Sequence, residues 1–419
     1  MYIPFDRVNN IGFVSTRFAG TDGVSLETAK WAKTFESEGL SCFYFAGESD
    51  LPKHVSYRVD EAHFRHPDVK HIYDNCFGVT TRNRDVTDQI HRVKERLKDH
   101  LYRFVNRFHI DLLISENALT IPLNIPLGIA LTELIAETGI ATIAHHHDFF
   151  WERQAFKTNA VWAILNMAFP PHLKTIRHVV INSSANNQLS LRTGISSTII
   201  PNVMDFESPP AAPDDYADDV RESLGLEEDD LFILQPTRVV KRKCIEQAIE
   251  LVSRLGQKAK LIISHASGDE GYEYEQRVRK YSELLKVNTQ FVATIINERR
   301  GVTPNGRKIY TLADIYPYAD LVTYPSNVEG FGNAFLEAIY YRKPILVNRY
   351  SNYDYDIKPK GFQAIEIDGY VTDATIEMTH KVLSDPALRL NMVDTNYEIA
   401  TLYYSCSVLK QKLMNLMVR

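Results

Sequence analysis

The chain has 419 residues, of which 44% are hydrophobic and 24% charged, a balance typical of a folded globular protein rather than a disordered or fibrous one. This length exceeds what one compact core usually supports, so two domains with a cleft between them are expected. The formal net charge of -6 argues against a nucleic-acid-binding surface, and no nucleic-acid partner is expected.

The N-terminal residues, MYIPFDRVNN, contain neither the basic start nor the apolar run of a secretory signal. No segment approaches the roughly 18 consecutive apolar residues that a membrane-spanning helix needs. Cys42, Cys76, Cys244 and Cys406 are far apart and lack paired metal-ligand spacing, which favours free thiols in a reducing compartment. The sequence therefore predicts a cytoplasmic protein.

The first half alternates short apolar runs with helix-length amphipathic segments, as in parallel sheets covered by helices. A long helix is predicted between the second and third runs, because apolar residues from Val86 to Phe108 recur at spacings of three and four. The strand candidates of this half are IGFVST from Ile11, CFYFA from Cys42, DLLIS from Asp111, ATIAH from Ala141 and HVVIN from His178.

The second half repeats this alternation after residues 201–219, whose prolines and aspartates are typical of a linker. Its strand candidates are LFILQ from Leu231, AKLIIS from Ala259, FVATI from Phe291, DLVTY from Asp320 and PILVN from Pro344. From Asp385 onward the pattern is helical, and its apolar residues need a docking surface. These features predict domains over 1–202 and 203–395. The C-terminal helix over 396–419 can pack on either half, and packing back on the first domain is one expectation.

The segment SNVEGFGNAFLEA, residues 326–338, follows a predicted strand and opens a predicted helix. Ligands gather at such strand ends, because unpaired N–H groups and the helix dipole favour anions there. Gly330 and Gly332 let the backbone approach a ligand, and Glu329 and Glu337 can accept hydrogen bonds from sugar hydroxyls. The alternative is a solvated Glu329 and a Glu337 that only favours the first helical turn; the combined spacing favours the ligand site.

The stretch EGFGNAFLEA matches, position for position, the Glu-x7-Glu motif of the family-4 retaining glycosyltransferases. The chain resembles this family over most of its length, most densely from Leu231 to Asn348. The resemblance implies an α/β, GT-B architecture of two Rossmann-like domains facing across a cleft. The first domain then lies on the acceptor side and the second binds a nucleotide-diphosphate sugar.

The same resemblance implies roles for the residues of this motif. Glu329 is expected to be a catalytic residue near the donor hexose, and Glu337 is expected to bind the ribose. The backbone amides of Phe331, Gly332 and Asn333 are expected to bind the hexose hydroxyls. Gly330 is the remaining donor-binding position.

A second candidate element is QPTRVVKRKCIEQAI, which follows the first strand of the second half. Arg238 and Lys243 precede a predicted helix there, and two cations can neutralise a diphosphate and stabilise it as it departs. The resemblance assigns them this catalytic and donor-binding task. Taken alone, a basic loop is more often plain surface. Cys244 departs from the family, in which glycine usually follows the lysine.

In the first half, TRFAGTDGVSLETAK follows the first strand and opens a helix. Gly20 and Gly23 can bring amides to the donor phosphates, but their spacing is not that of a dinucleotide-binding fingerprint. The family usually has adjacent glycines here, so only Gly23 is assigned to donor binding.

The segment ATIAHHHDFFWER ends a predicted strand with three histidines. In a strand His145 and His147 share one face and His146 points to the other, so one metal ion cannot take all three, and no metal site is predicted. The resemblance places the catalytic cleft-facing pair at His147 and Asp148. For His145 and His146, burial at the interior is at least as good an explanation.

The predicted helix over 88–109 is rich in basic residues, and such a helix can meet anionic lipid. Its regular apolar stripe favours packing on the sheet, and Glu95 and Asp99 dilute its charge. A solvated face is therefore expected, without membrane association.

The resemblance implies retaining transfer of a hexosyl unit from a nucleotide sugar. With the features above it predicts transfer from GDP-mannose or UDP-glucose to a hydroxyl of a small soluble acceptor. No cofactor is expected besides the nucleotide-sugar co-substrate. The alternatives are a nucleotide-sugar epimerase or hydrolase on the same fold, and a non-catalytic sugar-nucleotide-binding protein. The set of Arg238, Lys243, Glu329 and Glu337 favours the enzyme over the binder.

Overall fold

The computed structural model describes residues 7–20, 23–267 and 271–418, and it divides into two compact units. The first unit comprises Met1–Val203 together with Cys406–Arg419, and the second comprises Met204–Ser405. The sequence analysis placed the domain boundaries after residues 202 and 395. In the structure the chain returns to the first unit after Ser405, because the helix that ends at Tyr404 packs within the second unit.

The first unit has a parallel sheet covered by helices. Its strands are β1 (Asn10–Val14), β2 (Arg17–Phe18), β3 (Ser41–Ala46), β4 (Glu48–Ser49), β5 (Ser56–Arg58), β6 (Leu112–Glu116), β7 (Ala141–His146), β8 (Ile176–Val180) and β9 (Ser197–Ile199). Its helices before the linker are α1 (Gly23–Ser37), α2 (Pro67–Cys76), α3 (Arg84–Phe108), α4 (Ile125–Thr138), α5 (Gln154–Lys157), α6 (Trp162–Ala168) and α7 (Ser183–Thr193).

The strand order of this sheet is β5-β3-β1-β6-β7-β8-β9, and β2 and β4 form a separate short ribbon. From β1 the chain moves outward through β3 to β5 and then returns to place β6 on the other side of β1. The order therefore reverses between β1 and β6, where loops diverge and leave room for a ligand.

The second unit contains a smaller parallel sheet and its own helices. The strands are β10 (Leu231–Gln235), β11 (Ala259–Ile263), β12 (Asn288–Phe291), β13 (Gly301–Val302), β14 (Lys308–Ile309), β15 (Leu321–Tyr324), β16 (Ile345–Asn348) and β17 (Ile365–Ile367). The helices are α8 (Val220–Ser223), α9 (Ile245–Leu255), α10 (Glu273–Leu284), α11 (Leu312–Ile315), α12 (Asn333–Tyr340), α13 (Asp373–Ser384) and α14 (Pro386–Tyr404).

The order of this second sheet is β12-β11-β10-β15-β16-β17, so its reversal lies between β10 and β15. β13 and β14 form a separate antiparallel ribbon. The two predicted motifs of the second half follow β10 and β15, and the sheet therefore brings them together at its reversal point.

Most of the predicted elements are confirmed, including the long helix, whose apolar stripe is buried along α3. The strand predicted from Phe291 is wrong. β12 ends at Phe291, and the half-exposed segment NTQF forms it as an edge strand. The apolar residues Val292 and Ile295 are buried in the turn that follows. They are apolar because they are buried, although neither lies in a strand.

The C-terminal residues form α15 (Cys406–Val418), which packs on α1 of the first unit. Leu409, Leu413 and Met417 lie in the same buried cluster as Trp31 and Phe35. α14 instead packs against α12 and α13 of the second unit. The helical tail is thus two helices with different docking surfaces.

Candidate active site

The loops after β10 and β15 are joined by a backbone hydrogen bond at the reversal point of the second sheet. The Asn327 amide donates to the Arg242 carbonyl at 3.0 Å. Because β10 and β15 are parallel neighbours, both loops leave the same edge of the sheet. The two motifs that the sequence predicts to bind donor are therefore adjacent in space.

A buried carboxylate lies at the centre of this site. Lys243 Nζ donates to Oε1 of Glu329, and both side chains are 10% exposed. Arg242 Nη1 donates to Oε2 at 3.1 Å. The Lys243 ammonium also lies 5.1 Å from the centre of the Tyr324 ring. The structure thus holds Glu329 between two cations, one of which, Arg242, the sequence analysis did not select.

The ionisation of this pair follows from burial opposed by charge. Burial disfavours the Glu329 carboxylate, but Lys243 and Arg242 outweigh it and the pKa of Glu329 is lowered. Burial lowers the pKa of Lys243 despite the attraction of Glu329. At neutral pH Glu329 is a charged acceptor for hydroxyl donors.

Arg238 precedes this cluster in the same loop and is exposed. Within the described part of the chain its guanidinium makes no ion pair. His265, which follows β11, is a further neighbour: burial first, then Arg238 and Lys243, lower its pKa. A neutral His265 beside two cations adds a polar group without adding charge. Only its position after a strand could have selected it from the sequence.

The glycine loop owes its shape to Gly332. This residue has φ of 117° and precedes the first residue of α12, and a Cβ there would lie 2.4 Å from Oη of Tyr350. Tyr350 Oη and Asn352 Nδ2 donate to the Phe331 carbonyl at 3.0 and 2.9 Å. The Phe331 ring is itself buried, and its centre lies 5.3 Å from the centre of the Tyr404 ring. Burial therefore leaves the backbone of Phe331, rather than its ring, as the part that could contact a ligand.

The remaining residues of the motif occupy the helix that follows. Gly330 is exposed in the loop, and Asn333 is the first residue of α12. Glu337 lies one turn into that helix, where Tyr316 Oη donates to its Oε2 at 2.9 Å. Tyr316 stacks on Tyr341 at 4.7 Å, which fixes the phenol that orients Glu337.

In the first unit, the loop after β1 contains the predicted glycines. Gly20 has φ of 70°, and its amide donates to a carboxylate oxygen of Asp50 at 2.9 Å. Gly23 is the first residue of α1, while Thr21 and Asp22 lie outside the described residues. The assignment of Gly23 to donor binding remains a prediction.

The histidine strand divides between two buried networks, as its alternation predicted. His146 Nε2 lies 2.9 Å from Nδ1 of His178, and Thr120 bonds its other ring nitrogen. On the opposite face, Oε2 of Glu116 lies 2.9 Å from Nδ1 of His145 and 3.2 Å from Nε2 of His147. Glu116 is fully buried at the end of β6, and the sequence analysis missed it.

Charge is concentrated at this Glu116 network. Burial opposes ionisation of Glu116, but the two imidazoles lower its pKa to about 2. Burial also opposes the imidazolium of His147, yet Glu116 raises the pKa of that ring. For His145 burial prevails and lowers its pKa. His147 is therefore the ring that can take a proton near neutral pH.

Asp148 is held by neighbours on both sides. Asn117 Nδ2 donates to Oδ1 at 3.1 Å, and Arg153 Nε donates to Oδ2 at 2.5 Å. The side-chain oxygen of Asn117, Oδ1, accepts a hydrogen bond from the backbone amide of His147 at 2.8 Å. Asn117 thus fixes His147 and Asp148 relative to each other.

The same three side chains could in principle hold a cation. One nitrogen each from His145 and His147 and a carboxylate oxygen of Glu116 lie within 4.8 Å of one another. In the structure these atoms are at hydrogen-bonding distance instead, with Oε2 shared by both imidazoles. The other carboxylate oxygen, Oε1 of Glu116, and Nε2 of His145 are buried and have no hydrogen-bond partner among the described residues.

Comparison with known proteins shows the family of this chain. Residues 217–399 match the family described as glycosyl transferases group 1. A mannosylglucosylglycerate synthase from Petrotoga mobilis is 31% identical over 381 residues, 85% of this chain and 86% of that protein. Another, from Thermotoga maritima, is 30% identical over 428 residues, 94% of this chain and 96% of that protein. The chain belongs to the group 1 glycosyltransferases.

This glycosyltransferase has the GT-B fold. Sucrose-phosphate synthase from Thermosynechococcus elongatus matches it with a TM-score of 0.67, over 97% of this chain and 98% of that one, at 16% identity. At that identity the likeness shows the fold, with its two Rossmann-like domains. The family, and relatives that are themselves named synthases, identify a retaining hexosyltransferase that uses a nucleotide sugar.

Several basic residues of helix α3 of the glycosyltransferase are paired with neighbouring carboxylates. Lys98 bonds Glu133 and Glu137 at 2.7 and 3.0 Å, and Lys94 bonds Glu133 at 3.0 Å. Arg96 donates to Asp68 at 3.1 Å. These pairs favour the solvated-face interpretation. Among the helices of the described residues, none combines the length and apolarity needed to cross a bilayer.

Proposed function

We propose that this glycosyltransferase transfers a mannosyl unit from GDP-mannose to glucosylglycerate and forms mannosylglucosylglycerate. The similarity to the Thermotoga maritima synthase carries this proposal, because it covers 94% of the chain and therefore includes both units. The donor is one of the two candidates named in the sequence analysis, and the acceptor is a small hydroxylated sugar acid, in line with the expectation of a soluble acceptor.

In this proposal the donor lies on the second unit. Glu329 accepts from hexose hydroxyls, and Glu337 accepts from the ribose. The backbone of Gly330 to Asn333 borders the hexose, where the open end of α12 offers amides. Gly23 contributes an amide to the donor phosphates. The Glu329 cluster supports these roles, because a carboxylate already held by two cations keeps its charge when water is displaced.

The transfer breaks one bond and forms another. The bond between the mannose anomeric carbon and the diphosphate oxygen breaks, and that carbon bonds to an acceptor hydroxyl oxygen on the same face. The hydroxyl proton is released with the GDP. Arg238 and Lys243 stabilise the charge that develops on the departing diphosphate. His147 and Asp148 orient the reacting hydroxyls.

A matrix of donors and acceptors tests the proposal. GDP-mannose and UDP-glucose are each combined with glucosylglycerate, glucosylglycerol, glucose and glycerate, and released nucleotide is measured with the product mass. We expect the fastest release with GDP-mannose and glucosylglycerate, and one added hexose in the product. Faster transfer from UDP-glucose, or equal use of glucosylglycerol, would contradict the donor or the acceptor assignment respectively.

We also propose that no divalent ion or other cofactor is needed. Arg238 and Lys243 supply positive charge for the diphosphate, which in other enzymes a metal ion supplies. Activity should persist after dialysis against a chelator. Loss of activity that only a divalent metal restores would contradict this.

A further inference from the structure

The buried carboxylate of Glu116 is a feature that the proposed roles do not yet use. It ends β6 beside the reversal point of the first sheet, with no exposed surface. Its Oε2 accepts from two imidazoles, at 2.9 Å from His145 and 3.2 Å from His147. Buried charge is costly unless it is bonded, so such a group is expected to fix the orientation of its partners.

The contacts of His147 distinguish its two ring nitrogens. Nε2 faces Glu116, and a carboxylate accepts only, so the proton of this bond belongs to Nε2. Nδ1 has no hydrogen-bond partner among the described residues, and the side chain retains 11% exposure. Nδ1 is therefore the ring nitrogen left for a substrate.

Neighbouring groups hold the backbone of His147 and pack against its ring. The backbone amide of His147 is bonded to Asn117 at 2.8 Å. Its ring lies 4.3 Å from that of His145, which in turn stacks on Trp31 at 4.2 Å. A reversed ring would place Nδ1 against Glu116 and would lose this arrangement.

We propose that Glu116 is a positioning residue that holds Nε2 of His147 inward and directs Nδ1 to a sugar hydroxyl of the substrate. This inference rests on the proposed role of His147. Nδ1 accepts from the hydroxyl when the ring is neutral and donates to its oxygen when the ring is protonated. The charged or titratable groups that face the ring are Glu116 from β6, Glu27 from α1, His145 from β7 and Asp148.

A matched pair of variants tests which nitrogen acts. His147→Asn places an amide nitrogen near the position of Nδ1, whereas His147→Gln places one near Nε2. With GDP-mannose and glucosylglycerate, His147→Asn should retain at least about ten times the kcat/KM of His147→Gln, within the range for loss of one positioned donor. Equal values, or higher activity of His147→Gln, would overturn the proposal.

Glu116→Gln tests the positioning role of Glu116. We expect kcat/KM to fall about ten- to a hundredfold, as for other groups that orient a functional histidine. Thr120→Val is the control, because it removes a bond to buried His146 without touching the Glu116 network. It should keep activity within about threefold. Unchanged activity in Glu116→Gln would contradict the anchoring role.

A spectroscopic measurement does not depend on catalysis. Nitrogen-15 NMR of the wild-type protein at alkaline pH should show His147 protonated at Nε2, and Glu116→Gln should abolish that preference. A wild-type ring protonated at Nδ1 would overturn the proposal even if Glu116→Gln fails to fold. If the substrates were assigned wrongly, wild-type turnover would be absent while this tautomer persisted, so the two failures are distinguishable.

Discussion

Replacing Lys243 and Arg238 separately should give two variants with similar loss of turnover and different stability. Both cations are proposed to stabilise the departing diphosphate, so Lys243→Met and Arg238→Met should each lower kcat about ten- to a thousandfold. Methionine preserves most of the side-chain volume. The loss of turnover in each variant therefore reports the loss of charge, and the difference in stability between the variants reports burial.

The structure gives the stability difference. Lys243 and Glu329 are each 10% exposed, and removal of one partner of a buried ion pair costs about 3–5 kcal/mol. Arg242 remains 3.1 Å from Glu329 at 37% exposure, which favours the lower limit, about 3 kcal/mol. For a unit of about 200 residues this lowers Tm by about 6–12 °C. Arg238 is exposed and should change stability by less than about 0.5 kcal/mol.

The assay combines nucleotide release with thermal denaturation. Lys241→Met is the matched control, since Lys241 is an exposed lysine of the same loop and should retain both activity and Tm. A Lys243→Met protein that melts with the wild type would refute the buried-pair reasoning. Wild-type turnover in either active-site variant would refute the leaving-group role.

Three further results are expected. Glu337→Ala should weaken donor binding by about tenfold with little change in kcat, and Tyr316→Phe, which removes only the 2.9 Å bond, should weaken it less; calorimetry with the donor compares them. Gly332→Ala should cost about 2–4 kcal/mol, because of the 2.4 Å contact with Tyr350 Oη and its φ of 117°, and adding Tyr350→Phe should recover part of the Tm; no recovery would contradict the steric cause. Burial lowers the pKa of His178 from 6.5 to about 4. His178 therefore binds a proton less readily in the folded state than in the unfolded chain. The free energy of unfolding should fall by up to about 3 kcal/mol as pH falls from 6.5 to 4. Urea denaturation should show this loss, and His178→Gln should reduce it.

Several parts of the candidate site could be predicted because their signals are local. One short segment predicts Glu329 and Gly332 between a strand and a helix, and Glu337 within that helix. β15 ends at Tyr324 and α12 begins at Asn333, as expected. Arg238 and Lys243 are similarly recognisable after β10. Alternation within one strand was enough to separate His146 from His145 and His147.

Other contacts of the candidate site could be recognised only once the order of the strands in each sheet was known. Arg242 bonds Glu329 because β10 and β15 are neighbours, although more than 80 residues separate the two side chains in sequence. Glu116 reaches the histidines because β6 pairs with β7. Neither neighbour relation is encoded in the segments themselves.

The sequence by itself determined the alternation of strands and helices, the two halves, and the residue types that follow each strand. Only the tertiary structure decided which of these strand ends adjoin, and hence that Glu329 is held by two cations and that Glu116 faces one nitrogen of His147. The physical reason is that parallel strands are joined by long crossover connections. The side chains that meet at one sheet edge are therefore distant in sequence, and their pairing depends on the packing of the whole unit.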